Sequence, residues 1–139
     1  MDSPESPHAA ASLRQAEEGA AAVANLIVWA WKDINFVLVP IIGRGGVAAL
    51  YNRSSHLTTK AFPWLTVVPA GNEASIDLDA LHALLNLQAV ATAAAGGEAL
   101  LRNFRDLLAT LIGVPLTERL LLPVWEKYLN AFPVEDPSP

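Results

Sequence analysis

The sequence predicts an all-α fold: a compact bundle of about five helices in one domain, residues 9–132, with disordered proline-rich tails at 1–8 and 133–139. Apolar residues recur at intervals of three and four over long stretches, which is the helical period. Proline and glycine fall at spacings that suit helices of one to two dozen residues, and no stretch sustains the alternation of a strand. The chain is also 53% apolar and only 17% charged, against about 45–50% and 25% in an average globular protein. Its 139 residues therefore have an unusual amount of apolar surface to cover.

The first helix starts near Ala9 and spaces Leu13, Ala16, Ala20, Val23, Ile27, Ala30 and Ile34 by alternating threes and fours, the seam of a packed helix. From Leu26 to Trp31 apolar residues spread round every side, and a helix that is apolar all round must be covered all round. Pro40 and the turn "GRGG" close it. A second helix, about 46–59, places Val47, Leu50, Tyr51, Ser54 and Leu57 on one side and Arg53, His56 and Lys60 on the other. Pro63 ends it, and an irregular link through Pro69, Gly71 and Asn72 follows.

Asp77 is the expected N-cap of a third helix carrying Leu78, Leu81, Leu84 and Leu85, because an Asx side chain can accept from the unpaired amides of a first turn. "EALLRNFRDLLATLIG" is the clearest helix. Leu100, Leu101, Phe104, Leu107, Leu108, Leu111 and Ile112 form one stripe, Arg102, Asn103, Arg105 and Asp106 lie opposite, and Gly113 is the stop. The last helix, about 116–132, buries Leu120, Leu121, Val124, Trp125, Tyr128 and Leu129, and Pro123 is expected to bend or break it. "PIIGRGGVAALYNRS" and "TLIGVPLTERLLLPV" share an apolar pair, a glycine and a new helix start, which hints at two similar helix-turn-helix halves.

Several function classes are disfavoured. A formal net charge of -5 argues against nucleic acid as a partner, since phosphate-neutralising domains are basic. The absence of cysteine removes thiolate nucleophiles, disulfides and thiolate metal sites and fits a cytoplasmic setting. Acidic residues occupy the start of the chain, where a signal peptide would be basic. In "NLIVWAWKDINFVLVPIIG", Lys32 and Asp33 fall mid-run, at about 2.5–3.5 kcal/mol each on insertion scales, so no transmembrane span is expected. Contact with a membrane surface stays open, because the indoles of Trp29 and Trp31 suit an interface.

The expected cover for this run is a second copy of the chain, with Leu26, Val28, Trp29, Trp31 and Phe36 as a self-association interface, a homodimer first. Arg44, Arg53, His56 and Lys60 form a basic face for an acidic protein partner or an anion. His56 is also the candidate for a histidine phosphoryl carrier, flanked by cations that would hold a phosphate, although an ordinary solvated histidine is the simpler account. His8, His56 and His82 are too scattered for a metal site, Ser54 and Ser55 do not make a nucleophile-base pair with His56 on a helix, and no paired carboxylates stand out. No catalytic residue, metal or cofactor is expected, and the chain reads as a non-enzymatic module. A small-molecule or haem sensor is the remaining alternative, with Trp64, Phe104, Trp125 and Tyr128 as lining and His82 as the candidate inward ligand.

The segments "GVAALYNRSSHLTTKAFPWL" and "LLRNFRDLLATLIGVPLTERLLLPVW" resemble parts of small, poorly characterised proteobacterial helical proteins associated with signalling systems. The resemblance covers about the central two thirds of the chain. It implies a bacterial cytoplasmic setting and a regulatory role, and it carries over no catalytic residue.

Overall fold

A computed structural model of the chain describes residues 7–65 and 76–131. Residues 1–6 of the tail expected over 1–8, the tail at 133–139 and the link through Pro69, Gly71 and Asn72 lie outside the described residues, while Pro7 and His8 belong to the first helix. The fold is all-α: α1 (Pro7–Thr58), a short 3-10 turn (Pro63–Leu65), α2 (Leu78–Asn86), α3 (Val90–Ile112) and α4 (Val114–Ala131), with no strand among the described residues. Four helices stand where about five were expected. The difference is in α1, which runs through both of the helices expected before residue 60 and is interrupted only at Gly43, whose backbone is non-helical at φ 81 and ψ 163.

That single residue reverses the chain. Trp31 and Tyr51 would lie about 30 Å apart along a straight helix, yet their rings meet edge to face at 4.9 Å. The first arm of α1 (residues 7–42) and its second arm (44–58) are therefore an antiparallel hairpin. Pro40 does not end the first arm, as expected; the helix continues through it to Gly43. Proline removes one amide donor from a helix, and at exposed Pro40 water can satisfy the carbonyl left over. Only a glycine adopts the backbone region that Gly43 occupies without strain.

Gly113 repeats the device. With φ 93 and ψ 152 it separates α3 from α4, and Arg105 of α3 reaches Glu118 of α4 at 2.7 Å, so this pair is a second hairpin. The two halves agree in more than their turns. Ile34, Leu38, Val47 and Tyr51 stand at the same distances from Gly43 as Phe104, Leu108, Thr117 and Leu121 from Gly113, and all eight are fully buried. The duplicated pattern seen in the sequence is thus a shared hairpin geometry.

The halves pack with the first arm of α1 parallel to α3. Gly19 faces Val90, Ile27 faces Gly97 and Trp31 meets Phe104 at a centroid distance of 4.9 Å. The core runs along this seam through Val23, Ile27, Ala30, Trp31, Ile34 and Leu38 from α1 and Leu100, Leu101, Phe104 and Leu108 from α3. Aromatic edge-to-face pairs such as Trp31 with Tyr51 and with Phe104 contribute about 0.5–1.5 kcal/mol beyond their burial.

Asp77 caps α2 as expected, accepting from the amide of Ala80 at 3.0 Å. α3 starts well before the predicted stripe, at Val90, with Ala89 as an N-cap that makes no side-chain hydrogen bond. α4 neither breaks nor stops at Pro123; the proline is exposed, so water can satisfy the Arg119 carbonyl that its missing amide leaves unpaired. On the second arm the buried side is Val47, Ala48, Tyr51, Ser54, Ser55 and Thr58, while Leu57 is exposed. Thr58 is turned inward by a polar clasp: its hydroxyl donates to the Ser54 carbonyl and accepts from Asn103 Nδ2 at 2.9 Å.

Candidate functional site

The first arm of α1 has two faces, and helical spacing decides what each carries. Ala20, Val23, Ile27, Ala30, Ile34 and Leu38 point into the bundle. About half a turn away, Ala22, Asn25, Trp29, Lys32 and Phe36 are exposed, at the same alternation of threes and fours. Phe36 is 82% exposed and Trp29 39%. Leu26 and Val28 flank them and are half-buried. Four of the five residues expected at a self-association interface therefore lie on or beside this outer face, where Asn25 and Lys32 alternate with Trp29 and Phe36.

Trp31 does not. It is fully buried, clamped between Tyr51 and Phe104, because it falls on the same side as Ile27 and Ile34. Its indole Nε1 and the Tyr51 hydroxyl are both buried without a hydrogen-bond partner. Burial, and after it the charge of Asp77, pushes the Tyr51 phenol well above its ordinary titration range, since a phenolate is poorly solvated there.

Polar residues fix the rim of the outer face. The Lys127 ammonium of α4 lies 5.2 Å from the centroid of Trp29 and 3.5 Å from Asp33 Oδ2, which holds the indole against α4 by a cation-π contact. On the other flank His82 Nε2 is 2.8 Å from Asn25 Oδ1. The ring thus ties α2 to α1. A small cleft of about 420 Å³ between these helices is bordered by Trp29, Lys32, Asp79 and His82.

Arg44, Arg53, His56 and Lys60 are all exposed on or just after the second arm. Thr59 donates to the backbone carbonyl of His56 at 2.8 Å. Among the described residues no group of three or more His, Asp or Glu is placed to hold a metal ion.

One feature was not expected from the sequence. A groove of about 630 Å³ opens between α3 and α4, floored by Leu101, Leu122, Trp125 and Tyr128 and bordered by Glu98, Arg102, Arg105, Glu118 and Arg119. Its residues come from two segments joined by Gly113, and only the hairpin brings them together. Burial, followed by the Glu98 carboxylate beside its hydroxyl, raises the Tyr128 titration above the ordinary range. Trp125 and Tyr128 were placed in a ligand lining on composition alone; Phe104, grouped with them, is in the core, and Trp64 packs on Gly96.

Residues Glu17–Thr58 of α1 are long and apolar enough to cross a membrane by length and composition, with a mean hydropathy of 1.6 in the most apolar window. A mostly buried core helix passes the same test; here 28% of that window is buried, and the stretch is interrupted at Gly43. No family model, curated protein or solved structure matches the chain.

Proposed function

We propose that this protein is a non-catalytic helical module that self-associates through the outer face of the first arm of α1 and binds a protein partner. The observation that carries the reading is Phe36, a large aromatic side chain left 82% exposed one heptad from Trp29 on a regularly spaced seam. Seams of this spacing pack against another helix, and the bundle already uses its own helices on the opposite face. A second copy presents the same seam, and a two-fold axis lets each copy cover the other. Phe36 and Trp29 form its apolar centre, with Leu26 and Val28 at the edge.

Arg53, His56 and Lys60 make the contact surface for an acidic partner, since this locally basic stretch stands in a chain of formal charge -5; Arg44, nine residues and half a turn from Arg53, lies apart from them. The bacterial, cytoplasmic and regulatory setting implied by the resemblance belongs to the same proposal. Trp29→Glu tests it: the full chain is expected to become monomeric while keeping its helical circular dichroism. Unchanged association of a folded Trp29→Glu protein contradicts it.

A further inference from the structure

We infer that the groove between α3 and α4 is a binding site for an anionic amphiphile, a carboxylate carried on an unbranched apolar chain. The groove lies within the roughly 300–1,000 Å³ typical of small-molecule sites, at about 630 Å³. Its floor is apolar, and it includes Leu122, which is 52% exposed although it lies on the concave side of a hairpin. An apolar chain laid along Leu101, Leu122 and Trp125 would remove that surface from water, the main source of affinity for such a ligand.

The charges at the rim select the head group. Glu118 is engaged by Arg105 at 2.7 Å, and Glu98 stands beside the Tyr128 hydroxyl. Glu118 is thus paired within the groove while Glu98 keeps its charge, so three arginines stand against two carboxylates at the rim. The guanidiniums of Arg102 and Arg119 have no carboxylate within ion-pair distance among the described residues. One comes from α3 and the other from α4, so the groove offers two free forked donors beside an apolar floor. Arginine matches a carboxylate through two parallel N–H donors. Such a rim favours an anion over a neutral or cationic head group. The groove shares no residue with the proposed self-association face, so this assignment stands or falls independently of it.

The test is calorimetric titration of the full chain with decanoate below its micelle concentration, with decanol and acetate as controls. Saturable binding of one decanoate per chain is expected, with decanol at least tenfold weaker and acetate undetectable. In Arg102→Gln/Arg119→Gln, decanoate should bind at least tenfold more weakly. Both positions are exposed on helices and glutamine is a good helix former, so this variant retains the fold, as circular dichroism will verify. Leu122→Glu, which places a charge on the floor, should also abolish binding. The inference is overturned if decanoate shows no saturable binding, if decanol binds as tightly, or if the double arginine variant binds like the parent. Attachment to anionic phospholipid vesicles without binding of monomeric decanoate equally overturns it and assigns the arginines to a membrane surface.

Discussion

Gly97 sits so close to Ile27 that a Cβ built on it would lie 2.7 Å from Ile27 Cδ1 and 2.8 Å from Cγ1. This contact sets how closely α3 approaches the first arm of α1. Ile27 is fully buried and has no open space to retreat into. Gly97→Ala gains up to about 1 kcal/mol in helix propensity but overpacks the seam at about 1–3 kcal/mol. A lower denaturant midpoint is expected. Gly45→Ala is the control: nothing lies within 4 Å of its Cβ position, and it should stabilise the protein by about 0.4–1 kcal/mol.

The hinge at Gly43 makes a second prediction. A Cβ there meets no neighbour, but the backbone at φ 81 is closed to other residues. Gly43→Ala should therefore destabilise by about 1–3 kcal/mol through strain alone. Equilibrium urea unfolding checks this, and an unchanged midpoint would show that the chain reverses by another route.

The Thr58 and Asn103 clasp joins the second arm of α1 to α3 across a 2.9 Å hydrogen bond. Thr58→Val keeps the side-chain shape and leaves the amide of half-buried Asn103 without its partner, at a cost of about 1–3 kcal/mol. Pairing it with Asn103→Leu should recover part of the loss, and a double-mutant cycle measures the coupling.

Tyr51 and Tyr128 are both held neutral, chiefly by burial. A group whose folded titration point is raised contributes stability that is complete below its unfolded value and is lost as pH rises through the folded one. Stability should thus fall as pH climbs past about 10, the ordinary tyrosine value, and phenolate absorbance from these two residues should appear only with unfolding. Tyr51→Phe removes a buried hydroxyl that lacks a hydrogen-bond partner. It should be neutral or stabilising by up to about 1 kcal/mol at neutral pH and less sensitive to alkali.

Periodicity and caps made much of this fold legible. The seam from Ala20 to Ile34, the cap at Asp77 and the stop at Gly113 each follow from a local rule that the structure obeys. The start of α3 was hidden for a local reason: Ala89 offers no capping side chain, and Gly96 and Gly97 look like breakers although they admit Trp64 and Ile27. Pro40 and Pro123 misled because a proline on an exposed helix face costs a hydrogen bond that water replaces. Trp31 could not be told from Trp29 by composition; only its register with Ile27 and Ile34 assigns it inward. The α3–α4 groove was invisible because Arg102 and Arg119 come to one groove only through a hairpin whose tightness depends on one glycine.

The most direct measurement is sedimentation equilibrium of the full chain across a concentration series, beside Phe36→Glu. Phe36 is 82% exposed, so the substitution leaves the core intact. Self-association through the outer face of α1 predicts a reversible dimer for the parent and a folded monomer for Phe36→Glu at every concentration. A parent chain that stays monomeric throughout, or a variant that associates as tightly as the parent, would contradict it.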